Sequence, residues 1–377
     1  MTPAVGMVEA ADQNANRFAT KECTLAGSKK PQKDANEQTG LPPVRPHSAA
    51  TISDVAERAG VSKTTVSHVL SGRRPVSEAT RQKVNRVIEE LGFQQNFFAT
   101  GLTGRRTHTV ALVVQDLTNP FYPALARGLQ QAVAKRGYVV LLADVGADTS
   151  LVDAFLGETV QRRVDGVVVA AVDVSERQLE PLRLAGISVV MVGTPRHGTS
   201  TDVVSSDDEQ IAADAVAFLY GKGHRRFGII SGPPLAAPGA PRLGGYRDAL
   251  RAHGLRPLRA AEGTGDWTRE AGAKAMAELM DLPRRPTAVM CANDLMAIGA
   301  LDSARALGLA VPGDVAVMGI DDIDAASLVS PALTTVRVPA QEIGRVAGEQ
   351  LLARVDNPSH PVRKILVQHS LVARQSA

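Results

Sequence analysis

Lys63, Thr64, Ser67 and His68 lie in the stretch TISDVAERAGVSKTTVSHVLSG, residues 51–72, and their spacing gathers them on one side of a short helical period. Val66, Val69 and Leu70 occupy the opposite side, so a helix here buries the apolar three and presents the polar four. An ammonium group, two hydroxyls and an imidazole on one exposed face can hydrogen-bond to base edges or to phosphate oxygens of a nucleic acid.

Those groups need a scaffold, and the flanking residues supply one. Thr51 opens an S/T-x-x-D/E start signal, Val55, Ala56 and Ala59 give the helix an apolar face, and Gly60 ends it. Ala56, Gly60 and Val66 have the spacing of a helix-turn-helix: a small residue where helices cross, a residue that permits the turn, and a branched residue that locks the second helix. A third helix starts at a Ser77 cap and carries Val84, Ile88 and Leu91 on one face as far as Gly92. Between residues 51 and 106 nine basic residues face five acidic ones, a net +4 against +3 for the whole chain. Such a concentration suits a module placed against phosphates.

The rest of the chain bounds what this module can be part of. Its 377 residues allow two or three domains, and 44% hydrophobic with 21% charged residues describe a globular protein. Residues 1–48 are rich in Ala, Lys, Gln, Asn, Pro and Thr without a sustained period and read as a disordered tail. Residues 96–106 have weak helix propensity, with Gly101 among them, and read as a segment that folds on meeting a partner. Cys23 and Cys291 cannot staple a chain of this size, and both are expected to be reduced. No apolar run reaches the length of a membrane span and no leader pattern opens the chain, so a cytoplasmic protein without membrane contact is expected.

From Thr109 onward, buried strands alternate with amphipathic helices. VALVVQD, YVVLLAD, VDGVVVAA and ISVVMVG form one series, while FGIISG, TAVMCAND and VAVMGIDD form a second. This is the pattern of two parallel-sheet lobes, in which ligands bind beyond the carboxyl ends of strands. Asn119 before Pro120 makes a helix start, and Phe121 and Tyr122 follow it.

Taken together, DVAERAGVSKTTVSHVLSG, HTVALVVQDLTNPFY, GHRRFGIISG, RLGGYRDAL, PTAVMCANDLMAIGAL, VPGDVAVMGIDD and PALTTVRVP resemble the lactose-repressor (LacI/GalR) family of bacterial transcriptional regulators over roughly residues 50–374. The resemblance implies a small all-α helix-turn-helix headpiece and an α/β core of two Rossmann-like lobes, similar to periplasmic binding proteins, that pairs two chains. It implies that Lys63, Thr64 and His68 read base edges of double-stranded operator DNA, while Ser62, Thr65 and Ser67 are better placed for phosphates. Leu102 matches a hinge leucine that wedges into the minor groove. Gln95 stands where the family commonly has proline, and with Gly101 it favours an unfolded hinge.

For the core, the resemblance implies an effector cleft. Arg242 matches an arginine that clamps hydroxyls or a carboxylate, although its flank LAAPGAP departs from the usual pattern. Asn293, Asp321 and Asp207 match polar contacts, Trp267 matches an aromatic ring that stacks on the effector, and Phe121 lies beside the cleft. Asp294 reads as a helix cap and Asp322 as structural. The implied organisation is a headpiece at 49–95, a hinge at 96–106 and a core at 107–377, with one lobe at about 107–219 plus 338–360 and the other at about 220–337 plus 361–377.

These readings converge on a sequence-specific regulator, a repressor in sense, working as a homodimer under a small carbohydrate-like effector. A solute-binding protein without a DNA role is the alternative. Neither GxxxxGK[ST] nor a strand-linked GxGxxG is present, and no nucleophile, base and orienting acid group together. No catalytic residue, metal or cofactor is therefore expected.

Overall fold

The computed structural model describes residues 50–71, 74–93, 106–146, 149–195, 200–233 and 238–377. Residues 1–49, and the segment with Gln95, Gly101 and Leu102, lie outside the described residues. The chain divides into two units, 1–94 and 95–377.

In the first unit, helices α1 (Ile52–Ala59), α2 (Lys63–Ser71) and α3 (Glu78–Leu91) enclose Val55, Ala56, Ala59, Val66, Val84 and Val87. Thr51 closes a capping box: its backbone N–H donates to Asp54 Oδ2 at 2.7 Å, and its hydroxyl accepts from the Asp54 N–H at 3.4 Å. Gly60, at φ 60°, bends the chain so that its N–H reaches the last carbonyls of α1. With so small a core, each cap weighs heavily. Thr51→Ala should destabilise this unit by about 1 kcal/mol, seen as an earlier headpiece transition in denaturant with the transition of the second unit unmoved.

The second unit holds two six-stranded sheets. The first comprises β1 (Thr109–Val114), β2 (Val139–Asp144), β3 (Gly166–Ala170), β4 (Ser188–Val192), β5 (Asp202–Ser205) and β11 (Lys364–Leu366), all parallel, in the order β2-β1-β3-β4-β5-β11. The second comprises β6 (Phe227–Ser231), β7 (Glu262–Thr264), β8 (Ala288–Cys291), β9 (Ala316–Asp321), β10 (Thr334–Arg337) and β12 (Ser370–Val372), in the order β7-β6-β8-β9-β10-β12. Its only departure from parallel pairing is β10 with β12. Strands β3, β4, β6, β8 and β9 are buried along their whole length, as the near-continuous Val, Ile and Met runs require when helices cover both faces.

The helices that cover them are α4 (Phe121–Ala134), α5 (Thr149–Gln161), α6 (Glu176–Leu184), α7 (Asp208–Gly221), α8 (Gly239–Ala252), α9 (Arg269–Met280), α10 (Asp294–Ala306), α11 (Asp324–Leu328) and α12 (Ala340–Asp356). Helix α7 packs on α8 and against β8 and β10, so the chain enters the second lobe at 206–207 instead of near 219. Strand β11 pairs with β5, so the last crossing falls at 367–369 instead of near 360. The first shift arises because an amphipathic period shows that α7 is buried but carries no label for the sheet that buries it, and the second because a three-residue strand shows no period at all.

Helices cross closely where glycines remove the side chain. A Cβ on Gly128 of α4 would stand 1.8 Å from the Gln341 carbonyl oxygen of α12, and one on Gly344 of α12 would stand 2.0 Å from the Leu125 carbonyl oxygen of α4. Glycine pairs bring α9 and α10 together in the same manner through Gly272 and Gly299.

Candidate functional site

A cleft of about 310 Å³ opens at the carboxyl ends of the strands of both sheets. From the first lobe Gln115 and Asp116 follow β1, Asp144 ends β2, and Phe121 and Tyr122 begin α4. From the second lobe come Arg242 on α8, Trp267 after β7, Asn293 after β8 and Asp321 at the end of β9. Five of the six core residues singled out from the sequence, Phe121, Arg242, Trp267, Asn293 and Asp321, thus line one cleft.

Asp207 does not. It is exposed, keeps an extended backbone at φ −83° and ψ 92°, and caps α7 by accepting the Gln210 N–H at 3.0 Å. Its neighbour Asp208 turns inward and lines the cleft. The pair at α10 behaves alike: Asn293 is the cap, accepting from Met296 N at 2.9 Å, and its Nδ2 donates to the Trp267 carbonyl at 3.0 Å. Asp294, read from the sequence as the cap, is fully buried and instead accepts from Ile323 N at 2.9 Å and Thr335 Oγ1 at 2.6 Å, which ties α10 to the β9–α11 loop and to β10. Asp322 takes ion pairs from Arg337 and Arg374 behind the cleft.

Arg242 organises the charge in the cleft. Its side chain is buried, with Nε donating to Asp208 Oδ1 at 3.0 Å, Nη1 donating to the Ala292 carbonyl, and Nη1 lying 3.6 Å from Asp321 Oδ1. Thr194, from the first lobe, donates to the second oxygen of Asp208 at 3.3 Å. Burial pushes the Asp321 carboxyl up to about 7, against the pull of Arg242, and raises Asp208 for the same reason. The expectation for Arg242 was a fork held out to the effector; in the folded core much of that fork is engaged by protein acceptors.

Backbone strain collects here as well. Ala171, Trp267 and Asp321 line the cleft with φ of 54°, 77° and 124°, conformations that cost non-glycine residues about 1–3 kcal/mol each. Gly232 lets the Trp267 ring lie against bare backbone, since a Cβ there would stand 2.1 Å from the indole. Ser205, which carries no motif in the sequence, is buried at the end of β5, lines the cleft, and has no partner for its hydroxyl among the described residues. Asp116, Asp144, Ser205 and Asp266 all carried one legible signal, a polar residue at or just past a strand end.

On α2, Lys63 and Thr64 are exposed, while Thr65, Ser67 and His68 are half-buried. Ser62 caps the helix: its Oγ accepts from Thr65 N at 3.1 Å and lies 2.8 Å from Thr65 Oγ1, so these two hydroxyls already serve one another. Val66 is fully buried against α1 and α3, which orients the outer face. Among the described residues no helix is long and apolar enough to cross a membrane, and no group of His, Cys, Asp and Glu could hold a metal ion.

Residues 51–96 match the family described as bacterial regulatory proteins, lacI family, and residues 216–377 match the periplasmic binding protein-like domain. The ribose operon repressor of Escherichia coli (strain K12) is 36% identical over 330 residues, 87% of this chain and 100% of the relative. Among solved structures, a complex of the transcriptional regulator CelR with cellobiose is 34% identical with a TM-score of 0.68, covering 87% of this chain and 100% of that one. The lac repressor dimer bound to operator and the anti-inducer ONPF is 25% identical with a TM-score of 0.79, covering 87% and 99%.

Proposed function

The chain belongs to the LacI family of bacterial regulatory proteins, and on that premise we propose that it is a homodimeric repressor whose hold on operator DNA is set by a small carbohydrate-like effector in the cleft. The observation that carries this reading is the pairing of an outward polar face on α2 with a cleft in which an indole face stands among carboxylates and a guanidinium. A flat apolar ring beside hydroxyl-binding groups is the chemistry of sugar recognition. The ribose repressor and the cellobiose complex among its relatives support a sugar class. Those relatives are regulators, not enzymes.

Lys63, Thr64 and His68 would read base edges, with Ser62, Thr65 and Ser67 steadying the helix on phosphates; Leu102 would act as the wedge between the two half-sites. Phe121, Arg242, Trp267, Asn293 and Asp321 would hold the effector. Cleft closure then changes how the two subunits present their headpieces. The coupling is reciprocal: operator DNA must alter effector affinity by the same factor as effector alters operator affinity.

Lys63→Ala should cost about 1–3 kcal/mol on operators that carry the preferred base and little on those that do not. Binding measured across a set of operator variants decides this, and a uniform loss would reduce Lys63 to a phosphate contact. Ribose and cellobiose, titrated onto the full chain, test the other half. A sugar at about 100 times its dissociation constant should stabilise the core by roughly 2.7 kcal/mol; if neither these two nor any other neutral sugar of a panel moves the transition, the sugar class is wrong.

A further inference from the structure

We propose that the cleft accepts effectors without negative charge and turns away phosphorylated and carboxylated ones, an inference that rests on the cleft being the effector site. Among the described residues, the charged side chains lining it are Asp116, Asp144, Asp208, Asp266 and Asp321 against Arg242 alone. That arginine is already flanked: Asp208 accepts from its Nε, Asp321 lies beside its Nη1, and the Ala292 carbonyl takes a further bond from Nη1. A guanidinium held in this way lacks the complete pair of parallel donors that a phosphate or carboxylate requires.

The remaining acids are fixed acceptors. Asp116 Oδ1 takes the N–H and hydroxyl of Thr118 after β1, at 2.8 and 2.6 Å, and Asp266 Oδ1 takes those of Thr268 after β7, at 3.1 and 2.6 Å. The same Asp-x-Thr turn therefore stands in each lobe and leaves the second carboxylate oxygen without a side-chain or backbone partner among the described residues. Asp144 is anchored by the N–H groups of Leu117 and Gly146. The hydrogen bond from the Thr268 hydroxyl holds the Asp266 carboxyl below the usual range, so it stays ionised. Ser205 adds to the same cleft a buried hydroxyl that has no partner among the described residues.

Charge counting decides the sign. Among the described residues five carboxylates and one guanidinium leave −4, and a proton on Asp321 leaves −3. The N-termini of α4, α7, α8 and α10 border the cleft, and at about half a charge each they return roughly +2. One first-turn N–H of α4, of α7 and of α10 is already taken, by Asn119, Asp207 and Asn293. The balance stays negative, so donors such as hydroxyls or an ammonium group are admitted and oxyanions are repelled.

Trp267 is the only tryptophan in the chain and sits in this cleft, so its fluorescence reports the local potential without any effector. Quenching of the full chain by caesium and by iodide, at fixed ionic strength, is compared with free N-acetyltryptophanamide. The caesium-to-iodide ratio should exceed that of the free compound by about threefold or more, and Asp116→Asn with Asp144→Asn, on the lobe opposite Trp267, should bring it down. A ratio at or below the free value overturns the proposal, as does a high ratio that the double variant leaves unchanged. Matched titrations with ribose and ribose 5-phosphate add a second readout: tighter binding of the phosphate overturns charge selection. A caesium-favouring ratio with no binding of any neutral sugar leaves charge selection standing and instead sinks the sugar assignment.

Discussion

Replacing Arg242 with methionine is expected to destabilise the core by about 3–5 kcal/mol at about pH 8, and by clearly less at about pH 5.5. Arg242 is 4% exposed and lies between Asp208 and Asp321, themselves 6% and 9% exposed, so its removal leaves two buried carboxylates without their counter-charge. The folded variant relieves this by binding protons. Burial has already raised both carboxyls above their ordinary range, and Arg242 is the opposing pull on each, so both rise further in the variant. A carboxyl whose folded pKa lies above its unfolded one contributes stability that is complete below the unfolded value near 3.8 and is lost as pH climbs through the folded value. In the native chain that loss levels off above about 7 for Asp321, whereas in the variant it continues upward. Urea unfolding of both proteins at the two pH values measures the difference, with an unchanged m-value confirming that the same surface unfolds. Equal destabilisation at both pH values would show that Arg242 acts by packing and not as a counter-charge.

The two aspartates of that cluster also show where sequence reading stops. In SSDD and in AND the helix start was visible, and so was the presence of a polar pair, but the choice between cap and inward group was not. The structure follows one rule at both sites: the first residue of the pair, Asp207 or Asn293, keeps an extended backbone and caps, and the second, Asp208 or Asp294, turns into the protein. One residue of register along a helix start rotates a side chain by about 100°, and only the packing of the preceding strand sets that register. Arg242, Trp267 and Asp321 were legible because the stretches that carry them, among them RLGGYRDAL and VPGDVAVMGIDD, resemble family motifs. Short strands were not: DVVS, TTVR and SLV are too brief to show a period, so β5, β10 and β12 emerged only from their pairing. Helix contacts made by absence were equally silent, because a glycine in a helix reads as a weak point until its neighbour is known.

That neighbour separates two otherwise identical substitutions. Gly344→Ala in α12 should destabilise the core by about 3 kcal/mol or more, while Gly157→Ala in α5 should stabilise it by about 0.5–1 kcal/mol. The added methyl group is the same, and both glycines lie in helices without a left-handed backbone. At Gly157 a Cβ meets nothing within 4 Å, so the change acts only through helix propensity and the entropy of the unfolded chain. At Gly344 it would stand 2.0 Å from the Leu125 carbonyl oxygen and 3.0 Å from Leu129 N, backbone atoms that can yield only if α4 and α12 move apart. Separation there would disturb both ends of α12. Ile343, in its first turn, lines the cleft, and Asp356, its last residue, takes ion pairs from Arg136 and from Arg106, at 2.6 and 2.7 Å. Arg106 is the first described residue beyond the segment that carries Leu102. Gly344→Ala should therefore weaken effector binding as well as stability, and Gly157→Ala should change stability alone. Paired denaturation and titration of the two variants tests this, and a Gly344→Ala protein as stable as the parent would show that α4 and α12 have room that their closest atoms do not suggest.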